Sequence, residues 1–209
     1  MKSIFYLASA SPRRHELLNQ IGVAHEILHV PSPTGEDEPR YATESPLEYV
    51  QRTAQDKANR AQEWISQQSI NVSQSGKQTI ILTADTTVAL GNLVLGKPKD
   101  VKHASDILQL LSGKTHTVYT AVVLSQSISE TNRKWSQWQS LSATQVSFAE
   151  MTEQTIEEYI ATGEPFGKAG AYGIQGHAAK FISRIEGSYS GVMGLPLFET
   201  TELMKRLVK

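Results

Sequence analysis

An α/β fold with a mixed, twisted sheet flanked by helices is what the amino-acid sequence predicts, and two observations carry it. Strand-like and helix-like segments alternate along the whole chain, which points to helices layered on a sheet. Two long runs rich in β-branched and aromatic residues, 115–125 and about 135–149, follow one another, so antiparallel pairs are expected beside parallel ones.

Residues 4–9 are apolar enough for a buried strand, and Ser11 with Pro12 supplies an N-cap and a first-turn proline. The helix that begins there runs through Leu17, Leu18 and Ile21 and stops at Gly22, so the chain opens as strand, Ser-rich turn, helix. Residues 23–30 form a short candidate strand, and 31–45, rich in Pro, Glu and Asp, a surface loop. The next helix is announced by Ser45-Pro46-Leu47-Glu48, a capping box with proline at the first helical position. Its apolar positions Leu47, Val50, Ala54, Ala58, Ala61 and Ile65 keep helical spacing, and Lys57 lies on or beside that stripe. After a polar loop, 66–78, a β-branched strand over 79–84 ends at Asp85, which places a carboxylate at a strand's C-terminal end. Residues 90–95 read as a hairpin around Gly91-Asn92, and a helix containing Ala104, Ile107, Leu108 and Leu111 closes at Ser112-Gly113. An exposed connection, 125–134, separates the two long strands. Thr152 caps a short helix through Ile156 and Ile160 to Gly163; Gly-rich 167–176 precedes a strand over 180–185, and a helix over about 196–208 completes the chain.

With 209 residues, 39% apolar and 20% charged, the expectation is one globular domain over 1–209, with a core large enough to bury most of the chain's surface. Twenty Lys and Arg against 21 Asp and Glu leave no excess positive field to grip a nucleic-acid backbone, although a local basic cluster can still hold one small polyphosphate. Cysteine is absent, which removes disulfides, thiolate catalysis and cysteine zinc sites, and suits a reducing compartment. The apolar start is short and meets Ser-Pro-Arg-Arg, and no run is long enough to span a bilayer. A cytoplasmic protein with no export signal or membrane anchor is expected.

Ser9-Ala10-Ser11-Pro12-Arg13-Arg14 gathers two hydroxyls, helix-start N–H donors and two guanidinium groups into six residues, the donors that phosphate oxygens accept from. A Ser-capped helix with two solvated arginines uses the same residues. At this point the sequence resembles the Maf family of nucleotide pyrophosphatases, whose opening is a strand, Leu-Ala-Ser-x-Ser-Pro-Arg-Arg and a Glu-Leu-Leu helix, here Leu7 to Arg14 with Glu16-Leu17-Leu18. Similar motifs follow in the family's order: Gln55-Asp56-Lys57-Ala58, Ala84-Asp85-Thr86-Thr87-Val88, Gly96-Lys97-Pro98, Leu111-Ser112-Gly113-Lys114-Thr115-His116, the run from Lys168 to Gly176, Gly187-Ser188-Tyr189 and Gly194-Leu195-Pro196. They span nearly the whole chain.

The resemblance implies a bilobed fold of the Maf/ITPase type with a central cleft, in which a nucleoside triphosphate is split into monophosphate and pyrophosphate. That reaction needs cations, a divalent metal (Mg, Mn or Co) and an activated water. The resemblance assigns the base role to Asp85, and Asp85 with Glu38 of the acidic loop is the expected metal set. Ser9, Arg13, Arg14, Lys57 and Lys97 are the expected polyphosphate contacts. Arg13, Thr86 and Gln175 are similar to the branch that acts on dTTP and UTP, and Gln offers the donor and acceptor that suit a uracil or thymine edge. Read without the family, Lys57 and Lys97 are snorkelling surface lysines, Glu38 a solvated charge and Gln175 a loop amide. Thr83 where relatives often have Gly, Gly96 where many have an acid, and Ala178-Ala179 depart from the family pattern. The partner is thus a small-molecule nucleotide, with neither nucleic acid nor membrane, and a homodimer is left open.

His25-Glu26-Ile27-Leu28-His29 matches the zinc-protease pattern H-E-x-x-H, which requires a helix to bring both histidines to one face. The segment lies between Gly22 and Pro31, too short for a stable helix of its own. Two other readings stay open: a non-enzymatic, nucleotide-binding inhibitor of septum formation, and a pyrophosphatase of different specificity, such as for a modified purine.

Overall fold

The structure is a computed structural model that describes residues 3–31, 39–67, 78–128 and 134–207. In chain order its elements are β1 (Ser3–Leu7), α1 (Pro12–Gln20), β2 (Glu26–Ile27), α2 (Pro46–Gln67), β3 (Gln78–Leu90), β4 (Leu93–Leu95), α3 (Val101–Leu111), β5 (Thr115–Ser127), β6 (Trp135–Phe148), α4 (Glu153–Ala161), β7 (Ile182–Glu186), α5 (Tyr189–Met193) and α6 (Leu197–Met204). The sheet runs β2-β1-β3-β5-β6-β7, with β4 attached to β3. β1 pairs in parallel with β2 and β3, and every other pair is antiparallel. This is the mixed sheet that the adjacent long strands predict.

The start of α2 is the predicted capping box: Glu48 N–H donates to Ser45 Oγ (3.2 Å) while Ser45 N–H donates to Glu48 Oε2 (2.8 Å). Its buried stripe is largely alanine, and Val50, Ala54 and Ala58 pack on Ala121 and Val123 of β5. Small side chains let the helix axis approach the sheet closely, which brings Thr53 and Lys57 within reach of β3.

The strand that carries Asp85 differs from expectation. It does not end at Asp85 but continues to Leu90, so the carboxylate lies mid-strand. Thr86, Thr87 and Val88 are themselves strand formers, and β5 pairs with β3 continuously from Ile80 to Ala89. On the opposite edge, β1 pairs only as far as Leu82 and β4 only from Val88. Among the described residues no strand covers 83–87 on that edge. A gap in the sheet, not a strand end, exposes Asp85.

Two cores sit at the ends of the long strands. At one, Leu7, Leu17, Leu18, Leu82, Ala84, Val122, Leu124, Leu195 and Leu203 join β1, α1 and α6 to the sheet. At the other, Val88, Leu95, Ile107, Leu108, Leu111, Val118, Phe148, Ile156, Tyr159 and Phe181 join α3, α4 and the turns after α4. Other differences are local. Only Glu26–Ile27 of the strand expected over 23–30 forms, the last helix stops at Met204, and α5 has too few residues to leave a periodic signal.

Two glycines separate backbone strain from packing. Gly170 (φ 70°) lies so close to Val88 that a Cβ would sit 2.9 Å from Val88 Cγ1, whereas Gly22 (φ 72°) faces open space. Gly170→Ala is therefore expected to destabilise by about 3 kcal/mol, from left-handed backbone plus overpacking, and Gly22→Ala by about 1 kcal/mol. Urea denaturation of the two variants gives the comparison. In the second core, His116 is buried with Nε2 2.8 Å from Tyr172 Oη, its ring edge-on to Phe148, and Nδ1 without a hydrogen bond among the described residues. Burial pushes its pKa down from 6.5 to about 4. Above the higher value both folded and unfolded forms are neutral; below it the unfolded chain binds a proton first. Stability is thus lost as pH falls from 6.5 towards 4, by roughly 3 kcal/mol from this group. His116→Gln, compared with the parent by urea denaturation across that range, is expected to show a shallower pH slope.

Candidate functional site

The Ser-rich turn between β1 and α1 is organised by Ser9 rather than Ser11. Ser11 has the extended backbone of an N-cap, yet its hydroxyl makes no cap; its N–H donates instead to Ser9 Oγ (3.2 Å). Ser9 Oγ also accepts from Arg14 Nη1 (3.2 Å). The rest of that guanidinium reaches two other elements, with Nε donating to the Gly194 carbonyl at the end of α5 (2.7 Å) and Nη2 to Thr86 Oγ1 on β3 (3.3 Å). Thr120 Oγ1 lies 2.8 Å from the Gly191 carbonyl and 3.0 Å from Thr86 Oγ1. Thr120 is the donor in both contacts, its one proton shared between the Gly191 carbonyl and Thr86 Oγ1. Thr86 oxygen also accepts from Arg14. Arg14 is thus the lock that joins the turn to β3 and α5.

Arg13, one residue earlier, makes no hydrogen bond or ion pair with a described residue and lines the cleft. One turn of α2 supplies the other half of the site. Asp85, 9% exposed, has Oδ1 paired with Lys57 Nζ and Oδ2 accepting from Thr53 Oγ1 at 2.8 Å. Side chains alternate along β3, so Asp85 faces α2 while Thr86 faces α5. Both nevertheless line one cavity of about 650 Å³, because it wraps around the uncovered edge of the strand.

Among the described residues lining that cavity, the cations are Arg13, Arg14, Lys57, Arg60, Lys97 and Lys168, and the one carboxylate is Asp85. Ser9, Arg13, Arg14, Lys57, Asp85, Thr86 and Lys97 of the expected site are therefore brought together. Lys97 is exposed and, like Arg13, has no hydrogen bond or ion pair with a described residue. Its neighbour Gly96 accepts from Gly170 N–H (3.1 Å), which ties this wall to the Gly-rich turns. Gln175 departs from expectation. It stands exposed and does not line the cavity, because Ile174 before it is drawn into the second core and Gly176 N–H closes a turn on the Gly173 carbonyl (3.0 Å). Glu38 lies outside the described residues.

Several lining or supporting groups carry no sequence signal of their own. Thr53 reads as an ordinary helical residue, Arg60 as a surface charge, and Lys168 is visible only as part of a resembling motif. Glu164 organises the turns after α4: burial works against its charge, yet the His177 N–H (2.7 Å), the Tyr159 hydroxyl (2.8 Å) and the Ala178 N–H hold its carboxyl below the usual range. A Cβ on Gly176 would lie 2.1 Å from Glu164 Oε2, so only glycine lets this carboxylate in. On the other side of the cleft, Arg52 grips Glu44 through Nε (2.6 Å) and Nη2 (2.9 Å), reaches Asp56 (3.1 Å) and stacks on Tyr41. That bidentate guanidinium holds the Glu44 carboxyl below its usual range and anchors residues 39–44 to α2.

The H-E-x-x-H segment is not helical. Glu26 and Ile27 pair with β1, and His25 bonds through Nδ1 to the Val23 carbonyl (2.7 Å) and through Nε2 to His15 Nδ1 (2.8 Å). Among the described residues no three His, Cys, Asp or Glu side chains cluster as a metal cage, and no helix is long and apolar enough to cross a membrane.

A basic cleft with one buried carboxylate at a gap in a mixed sheet has the donor set of a polyphosphate site. The family model for Maf-like proteins matches residues 4–207, and the chain belongs to that family. It is 53% identical over 201 residues to a dTTP/UTP pyrophosphatase of Bordetella avium, covering 96% of this chain and 94% of that protein. A dTTP/UTP pyrophosphatase of Cupriavidus metallidurans is 47% identical over 209 residues, covering 98% and 97%. A solved nucleoside-triphosphatase / dITP/XTP pyrophosphatase of Mycobacterium abscessus aligns over 99% of this chain and 94% of its own, at 13% identity and a TM-score of 0.41, a likeness too slight to add to the description of the fold.

The two arginines are expected to separate. A lysine cannot span the three acceptors of Arg14, so Arg14→Lys is expected to lose about 1–3 kcal/mol of stability, while Arg13→Ala stays within about 0.5 kcal/mol of the parent. Urea denaturation of both variants is the check.

Proposed function

We propose that this chain hydrolyses dTTP and UTP to the monophosphate and pyrophosphate. The observation that carries the reading is Asp85, a buried carboxylate paired with Lys57 at the uncovered edge of β3, in a cleft whose other charged groups among the described residues are cations. The names of relatives that align over nearly the whole chain support the choice of substrate.

In this reading Arg13 and Lys97, which have no partner among the described residues, take phosphate oxygens, while Ser9, Arg14 and Thr86 spend their side chains on one another and fix the shape of the turn. Lys57 and Thr53 hold the Asp85 carboxylate in one orientation. Asp85 takes the proton of a water whose oxygen bonds to the α phosphorus as the bond from that phosphorus to the bridging oxygen breaks, and pyrophosphate leaves with the electron pair. Excluding bulk water from the cleft strengthens each of these contacts.

A divalent metal fits this donor set. Magnesium-like ions favour oxygen, use one or two carboxylates and complete their shell with phosphates and water, so a single carboxylate beside a triphosphate suffices and a dedicated cage is not required. Asp85 would hold it, with Glu38 the second candidate; when bound it would neutralise the charge that gathers on the phosphates. The cellular role that follows is removal of pyrimidine triphosphates from the nucleotide pool, in the cytoplasm.

Asp85→Asn is expected to lower pyrophosphate release at least a thousandfold while leaving nucleotide binding measurable. The panel that tests the substrate is dTTP, UTP, CTP and the purine triphosphates, scored for pyrophosphate against single phosphate. Hydrolysis in heavy-oxygen water is expected to leave the label in the monophosphate; label in pyrophosphate instead places attack on the β phosphorus and removes the proposed geometry.

A further inference from the structure

The turns after α4, which pack into the second core, contribute a cation that the reading above leaves unused. Lys168 precedes the tight turn at Ala169–Ala171 and lines the cavity half-buried. Its aliphatic stem runs along Gly173, where a Cβ would come within 3.1 Å of Lys168 Cε, so the glycine leaves the channel that the stem occupies. Nζ donates to the backbone carbonyl of Glu164, and no carboxylate pairs with it among the described residues. Burial disfavours its charged form most, the positive charge of Arg13 adds to this, and Glu164 opposes in part, which leaves the ammonium below the ordinary lysine range. Arg13 stands on α1, which packs into the first core. Two cations therefore line the cleft from elements that pack into different cores, Arg13 with no hydrogen bond or ion pair to a described residue and Lys168 offset only in part by Glu164.

Like charges held together in a partly desolvated cleft repel, and an anion placed between them converts that repulsion into two attractions. Pyrophosphate and the triphosphate tail are the anions this cleft is read to handle. We propose that Lys168 is a polyphosphate-binding residue which meets the phosphoryl oxygens opposite Arg13, so that bound phosphates bridge α1 and the turns after α4. This rests on the cleft being the pyrophosphatase site.

Pyrophosphate is the probe, titrated calorimetrically into the parent, Lys168→Met and Lys168→Arg from neutral to alkaline pH, with the melting temperature of each recorded. Lys168→Met is expected to bind pyrophosphate about tenfold more weakly or worse, the size of one lost charged hydrogen bond, and to raise KM for dTTP more than it lowers kcat. Lys168→Arg is expected to restore binding to within a few-fold. The parent's affinity falls as pH rises through the lowered lysine pKa, since only the ammonium attracts the anion; in Lys168→Arg, whose side chain stays charged, that fall is absent. The groups around Lys168 are Arg13, Glu164, Tyr159 and Tyr172, with Lys97 and Arg14 on the same cavity, and burial pushes both tyrosines upward, away from this range. Unchanged affinity in Lys168→Met overturns the proposal, as does equal loss in both variants accompanied by equal loss of melting temperature, which would make Lys168 only a tether to Glu164. A parent protein that binds no pyrophosphate overturns this proposal and the functional reading together.

Discussion

A buried carboxylate survives in a folded chain only where something neutralises it, and for Asp85 that partner is Lys57. Their pairing needs α2 to lie close on the sheet, which its alanine stripe permits, and it needs the edge of β3 to be uncovered there, which follows from β1 ending early and β4 starting late. The gap also decides what else reaches Asp85. Because β3 alternates its side chains, a cavity on one face would meet either Asp85 or Thr86; a cavity that turns the open edge meets both, and with them the α1 turn that Arg14 fastens to β3 and α5.

The cleft is electrostatically unfinished on its own. Arg14 and Lys57 have acceptors, yet Arg13 and Lys97 have none among the described residues, and Lys168 rests on a carbonyl. A whole chain of net charge −1 thus keeps a strongly positive interior channel, an arrangement that suits a small polyanion and not a long nucleic-acid backbone, which would need the charge spread over an outer face. The walls come from different cores, so the cleft lies between two separately packed halves joined by β3, β5 and β6.

Much of the fold was legible because its signals are local. The capping box of α2, the Gly91-Asn92 hairpin, the Thr152 cap and the glycine stops after α1, α3 and α4 each depend on a few adjacent residues. Errors fell where pairing at a distance decides. The strand expected to stop at Asp85 runs on because β5 pairs with it, and the strand expected over 23–30 shrinks to the two residues that pair in register with β1. α5, with its Ser188 cap, is too short for periodicity to reveal. In the site, Gln175 was an attractive base reader by chemistry alone, and a turn anchored by Ile174 leaves it outside the cavity.

By itself the sequence determined the alternation of strands and helices, the composition that disfavours membrane and nucleic-acid roles, and the ordered motifs that carry the family. These are properties of residue type and spacing, readable without knowing what lies across the molecule. Tertiary structure decided which hydroxyls are spent on the protein itself, that Arg14 is a lock while Arg13 stays available, and that Lys168 joins the cleft. Each of those depends on atoms from different elements of the fold, as where Arg14 reaches Thr86 and Gly194, and side-chain partnership between separate elements is set by packing rather than by local propensity.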